Sequence, residues 1–121
     1  MSNDLQKAAK DPPIVLDAAY VEHLQRLATS AMQRVPDVAE RLSHELERAT
    51  ILPSGDMPAT VVNIGSEVTF RDNVADRVHT VRLVLPQDAD IAERRISILT
   101  PIGAALIGLA QGASIDWETR D

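Results

Sequence analysis

The feature that most constrains this chain is a change of hydrophobic period near Pro53-Ser54-Gly55. Before it, Tyr20, Val21, Leu24, Leu27, Ala28 and Ala31 recur three and four residues apart. That spacing puts them on one face of an amphipathic helix. Asp17 stands at its N-cap position. Val35-Pro36 interrupts the pattern, and a second helix opens at Asp37, with Glu40 three residues on in capping-box spacing. Val38, Leu42, Leu46 and Ala49 form its stripe, and Pro53-Ser54-Gly55 ends it. Two such helices joined by a few residues predict an antiparallel hairpin from about 17 to 50. The hairpin domain is placed at 14–53, behind a disordered polar tail over 1–13 that ends in Pro12-Pro13.

After the break the period shortens to two. Val61-Val62-Asn63-Ile64 reads as a short strand, and Gly65 permits a sharp turn before Val68 and Phe70. Asp72-Asn73 marks the next turn. His79, Val81, Leu83 and Leu85 then alternate with Thr80, Arg82 and Val84, the clearest strand signal in the chain. An acidic loop from Pro86 to Ala92 precedes a strand through Ile96 and Ile98. Thr100-Pro101 opens a short helix, with threonine as cap and proline in the first turn. That helix, Pro101 to Gly108, is almost wholly apolar and is expected to be buried, with Gly112 as its stop. Ser114 to Glu118 reads as a last strand. The predicted class is α+β: a helical hairpin, then a small antiparallel sheet with one packed helix.

Composition narrows what such a fold can do. Apolar residues make up 45% of the 121 positions, enough for a core, but aromatics make up only 2%. Tyr20, Phe70 and Trp117 cannot build a platform for stacking bases. The formal net charge of −6 argues against a phosphate backbone as the main partner, so no direct sequence-specific nucleic-acid binding is expected. The absence of cysteine excludes disulfides, thiol catalysis and cysteine-ligated zinc, and suits a reducing cytoplasm. The opening residues lack a signal core, and the apolar run from Ile102 to Ala110 is too short for a membrane span.

Several segments resemble a known family. Met57-Pro58 with Val61-Val62, then Gly65-Ser66-Glu67-Val68-Thr69-Phe70-Arg71, resembles the opening of the Gre carboxy-terminal domain. Val81-Arg82-Leu83-Val84 resembles its next strand. The most specific stretch is Ile96-Ser97-Ile98-Leu99-Thr100-Pro101-Ile102-Gly103, continued by Ala104 to Leu109. Gly112, Ser114, Ile115 and Trp117 extend the likeness. The tryptophan points to the nucleoside-diphosphate-kinase regulators (Rnk family), relatives of the Gre transcription elongation factors.

The resemblance implies that residues 57–121 form a Gre carboxy-terminal-like, FKBP-like domain. Such domains grip RNA polymerase at the rim of its secondary channel, and the hairpin would enter or cover that channel. The implied role is that of a non-catalytic cytoplasmic regulator that binds polymerase, competes with Gre factors and carries no cofactor or metal. Two alternatives stand beside it: a Gre-type transcript-cleavage factor, and direct contact with nucleoside diphosphate kinase. Gre domains usually continue beyond the tryptophan strand with a returning strand. Its absence here would leave an open sheet edge able to pair with a second copy.

Candidate residues follow. At the hairpin tip stand Arg34, Pro36 and Asp37, where Asp37 is the one carboxylate of the turn and helix capping accounts for it. Cleavage chemistry needs more carboxylates to hold a metal, and a helix of about 17 residues reaches roughly 25 Å, too short for a buried active centre. His23 and His44 could meet across the hairpin, but two imidazoles make a poor zinc site. Ser97 and Thr100 lack a base and an oxyanion hole, which leaves Thr100 as a cap. Gly103, Gly108 and Gly112 lack the Lys of a phosphate loop and read as close-packing and turn glycines. By analogy with the family, the polymerase contact is assigned to Ile91, Arg94, Arg95, Ser97, Pro101 and Ile102.

Overall fold

Asp17 both ends a strand and starts a helix. In the computed structural model, which describes residues 12–114, strand β1 (Val15–Asp17) runs straight into helix α1 (Ala18–Ala31). One carboxylate oxygen of Asp17 accepts from the Ala19 backbone N–H at 2.9 Å, satisfying a donor the first turn cannot pair itself. The expected stripe faces inward: α1 buries Leu24, Ala28 and Ala31, and Tyr20, Val21 and Leu27 pack half-buried beside them.

Helix α2 (Pro36–Arg48) follows the turn Met32–Val35 and buries Ala39, Leu42 and Leu46. Its start differs from the expected capping box. Val35 is the N-cap, Pro36 is in the first turn, and no side chain caps it. Asp37 lies inside the first turn, where its charge complements the helix dipole. Proline explains the shift: its fixed φ suits the first helical position and its missing N–H is no loss there.

Two short strands were not legible in the sequence. After α2 the chain forms β2 (Thr50–Leu52), which pairs in parallel with β1 in the register Val15↔Thr50, Leu16↔Ile51 and Asp17↔Leu52. The helical pair therefore returns the chain to the point where it left. Three residues hold too few alternations to show a period, and the β-branched Val15, Thr50 and Ile51 give the one local hint.

A second sheet holds β3 (Glu67–Asp72), β4 (Arg77–Val84) and β5 (Arg95–Ser97), with β4 central. β3 and β4 form the expected antiparallel hairpin, with Thr69 and Thr80 hydroxyls 2.9 Å apart across it. At its turn, Asp72 accepts from the N–H groups of Val74 and Ala75 at 3.0 and 3.2 Å, the Asx geometry that makes aspartate a turn former. The sheet is not wholly antiparallel, because β5 runs parallel to β4. Alternation marks a strand but not its direction; here the connection through two 3-10 turns, Pro86–Asp88 and Ile91–Glu93, carries the chain back before it re-enters.

The strand expected at Val61–Ile64 shrinks to a bridge between Val61 and Ala110. Val62 still exchanges backbone hydrogen bonds with Leu109 and Gly108 at 2.9 Å, but past it local polar groups take over. Asn63 N–H donates to Ser66 Oγ at 2.8 Å, and Asn63 Oδ1 accepts from Ile64 N–H at 2.8 Å. The last expected strand, 114–118, lies outside the described residues beyond Ser114, as does most of the expected tail.

Helix α3 (Pro101–Leu106) begins as predicted: Thr100 Oγ1 accepts from Gly103 N–H at 3.0 Å and Pro101 sits in the first turn. It ends earlier than Gly112, at Leu106, and the left-handed turn residue is Gly108 (φ 80°). A Cβ on Gly103 would collide with the Ser97 carbonyl oxygen and come within 3.0 Å of Ile98 Cα. A Cβ on Gly108 would come within 2.9 Å of Ile14 Cβ. Both glycines let backbones approach where no side chain fits.

These elements share one aliphatic core, in which Ile14 and Leu16 of the N-terminal strand touch the same cluster as Leu42, Leu83, Ile98 and Ile107. One carboxylate is buried against it. Glu45, 2% exposed, accepts from Arg41 Nε at 3.0 Å and Arg48 Nε at 2.6 Å, one helical turn to either side. Such pairing is what makes burial of a charge tolerable.

Among the described residues Asp17 is the other buried carboxylate, 6% exposed. Beyond its cap bond it accepts from Ser54 Oγ at 2.6 Å and Asn63 Nδ2 at 3.0 Å. The Ser54 hydroxyl above all, then Asn63 and the Ala19 N–H, hold its pKa below the ordinary carboxylate value despite burial. Because the folded value lies below the unfolded one, these bonds stabilise the fold fully above about pH 4. That contribution is lost as pH falls through the folded value. Melting temperature followed from pH 7 downward is expected to fall more steeply below about pH 4 in the native chain than in Asp17→Asn. Parallel curves would refute this.

Candidate functional site

The assigned contact residues fall on one continuous stretch, from the loop before β5 to the first turn of α3. Asp90 and Arg95 exchange both backbone hydrogen bonds at 2.9 Å, closing the 3-10 turn Ile91–Glu93 into a knuckle. The Asp90 side chain accepts from Ala92 N–H at 3.1 Å and caps that turn. Arg94 takes the left-handed conformation (φ 59°) that lets the chain reverse, and its carbonyl accepts from Arg82 N–H at 2.9 Å. The Arg95 guanidinium donates to the Asp88 carbonyl at 3.1 Å and stands 3.6 Å from the Asp90 carboxylate. At the surface that ion pair adds little energy, but it fixes the arginine.

The outcome is a braced loop that holds Ile91 in solvent at 90% exposure. Ile91, Arg94 and Arg95 are thereby brought together. Ser97 and Thr100 have their hydroxyls occupied by the next turn. Ser97 Oγ accepts from Leu99 N–H at 2.9 Å, and Thr100 donates to the Ser97 carbonyl at 2.8 Å while capping α3. Pro101 is exposed beyond that turn. Ile102 is half-buried and packs on the core, so it supports the surface more than it forms it.

At the far end, the turn Met32–Val35 exposes Arg34 with Pro36 and Asp37 beside it. Met32 and Val35, each 37% exposed, give this turn an apolar edge that the sequence reading passed over. Helices of 14 and 13 residues carry it, about 20 Å of rod at 1.5 Å per residue. Of the histidines, His23 is half-buried on α1, His44 is exposed on α2, and His79 stacks on Phe70 with ring centroids 5.3 Å apart. Among the described residues, no group of three or more His, Asp or Glu is placed to hold a metal ion. No helix among them is long and apolar enough to cross a membrane.

What the sequence missed were polar residues that act at a distance: Ser54 and Asn63 give no motif, and their common partner Asp17, 37 and 46 residues away, is set by the fold.

Comparisons with known proteins place this geometry. Residues 57–121 match the family described as transcription elongation factor, GreA/GreB, C-term, and residues 12–52 match the Rnk N-terminus. The regulator of nucleoside diphosphate kinase of Escherichia coli K12 is 33% identical over 88% of this chain and 79% of its own length. A transcription elongation factor GreA of Brucella anthropi is 33% identical over 71% of this chain, which spans 57% of that protein. A solved GreA/GreB elongation factor from Nitrosomonas europaea superposes with a TM-score of 0.72 at 36% identity, covering 90% of this chain and 88% of that one. The chain therefore belongs to the Rnk family, in which an Rnk N-terminus is joined to a GreA/GreB carboxy-terminal domain.

Proposed function

We propose that this chain is a non-catalytic regulator of transcription that docks on RNA polymerase near the secondary channel and competes there with Gre factors. Residues 57–121 act as the docking domain, an FKBP-like grip, and the helical pair of 14–53 covers or enters the channel mouth. Contact is made by the braced knuckle with Ile91, Arg94 and Arg95 and by Pro101, backed by Ser97 and Ile102. Arg34, Pro36 and Asp37 form the leading edge.

The observation that carries this reading is the pairing of a Gre-type scaffold with a helical pair of 14 and 13 residues whose turn presents Asp37 beside apolar Met32 and Val35. Such a tip blocks by shape, and among the described residues no group of three or more His, Asp or Glu is placed there to hold a metal for cleavage. A −6 chain also suits a protein surface that is basic, which speeds encounter.

Immobilised core polymerase is expected to retain the chain at low salt and release it when a Gre factor is added. Ile91→Asp is expected to weaken retention about tenfold, the loss of one exposed apolar anchor. A polymerase that fails to retain the native chain would end the reading. Added to stalled elongation complexes with Mg2+, the chain is expected to leave the RNA length unchanged. Shortening that Asp37→Ala abolishes would establish the cleavage reading in its place.

A further inference from the structure

The Asp17 carboxylate receives donors from three places in the chain. Ala19 belongs to α1, Ser54 lies just after β2, and Asn63 precedes β3. Ser54 and Asn63 flank the exposed connection by which the helical part of the chain passes into the sheet. Their side chains turn inward and close that connection onto the root of α1. At the same root Val15 N–H donates to the Gly108 carbonyl at 3.0 Å, one directional bond on the far side of β1, while the apolar contacts of Ile14 and Leu16 against the Gly108 turn resist separation but are non-directional. Hydrogen bonds to a buried carboxylate are directional and strong. Asn63 is itself held in one orientation, because its Oδ1 accepts from Ile64 N–H. Its amide therefore has to present Nδ2 to Asp17.

We infer that Asp17, Ser54 and Asn63 form a clasp that sets the direction in which the helical pair projects from the sheet, with Asp17 as the positioning residue. This rests on the proposed function for its purpose: a two-point docking surface gains from a fixed span, since simultaneous contact depends on effective concentration. The structural claim itself can be tested without polymerase.

The geometry dictates a discriminating pair of variants. In Asp17→Asn the new amide keeps its oxygen for Ser54 and Ala19 but turns an NH2 toward the NH2 of Asn63. In the exchange Asp17→Asn with Asn63→Asp, the new amide donates to the new carboxylate, which still accepts from Ile64 N–H. Every bond of the clasp is restored at unchanged net charge. The chain has no cysteine, so Ser30→Cys near the helical turn and Asn73→Cys at the β3–β4 turn, both exposed, accept a pair of spin labels.

The native chain is expected to give a narrow label-to-label distance distribution. Asp17→Asn should at least double its width, and the exchange should return it to the native width. On polymerase, Asp17→Asn should bind about tenfold more weakly and the exchange natively. A stability role would lower the melting temperature of Asp17→Asn while leaving the distribution of its folded molecules narrow, and that result would overturn the clasp. So would an exchange variant that stays broad. If Asp17→Asn does not fold, Ser54→Ala and Asn63→Ala, which each remove one bond, are read by the same criterion. Native polymerase binding that is absent altogether, with the distance results as expected, would refute the proposed function and leave the clasp standing.

Discussion

Gly103→Ala is expected to destabilise the protein by about 3 kcal/mol or more, although alanine is the better helix former by about 1 kcal/mol. Elsewhere in a helix that substitution stabilises. Here the added methyl would be driven into the Ser97 carbonyl oxygen, with Ile98 Cα and Thr100 Oγ1 each 3.0 Å away. Two of those three neighbours are backbone and cannot swing aside. Relief requires α3 to lift from the end of β5, which also pulls Thr100 from its cap bond to Gly103. Because Ser97 and Pro101 flank the same contact, Gly103→Ala should weaken polymerase retention as well. Urea denaturation followed by far-UV circular dichroism measures the loss. A variant as stable as the native chain would mean that the helix does not sit this close.

Leu83→Ala is expected to cost about 3–4 kcal/mol, within the range for a fully buried leucine. Leu83 lies on β4, the central strand, is 0% exposed, and faces the core shared by both halves of the chain. The side chains around it are close-packed, so relaxation is limited and the cavity term stays large. For a domain of this size the melting temperature should fall by about 10–20 °C. Val74→Ala, at a position 100% exposed in the β3–β4 turn, is the matched control and should leave it unchanged within about 0.5 kcal/mol. If helical and sheet segments were independent, thermal unfolding of Leu83→Ala would split into two transitions; a single core predicts one.

Much of the local fold follows from chain-local chemistry and was therefore legible. Asp17 as cap, the Thr100-Pro101 helix start and the Asp72 turn each depend on residues within three positions of one another. The stripes of α1 and α2 required only their own spacing. Ile91, Arg94 and Arg95 were placed through family likeness. The brace that makes them one feature, the paired backbones of Asp90 and Arg95, has no sequence signal, because it is made by main-chain groups that nearly every residue carries.

All but one of these differences share a cause. A period reports which face of an element is buried and is silent on what runs beside it. It could not reveal that β5 is parallel to β4 or that β1 meets β2. Nor could it show that the strand would stop at Val62, where Asn63 and Ile64 turn to the side chains of Ser66 and Asn63. Asp37 was misplaced for a different reason, since proline overrode the capping pattern by fixing the first helical φ at Pro36.

The sequence by itself determined the elements whose causes are local: two amphipathic helices, a hairpin, a capped apolar helix and the glycines that permit close approach. Tertiary structure decided the rest, namely which strands became neighbours, which carboxylates were drawn inside, and what satisfied them. The physical reason is range. Hydrophobic spacing and capping act within a turn or two of chain. The second and third partners of Asp17 lie 37 and 46 residues away, and their contact exists only once a common core has brought them together.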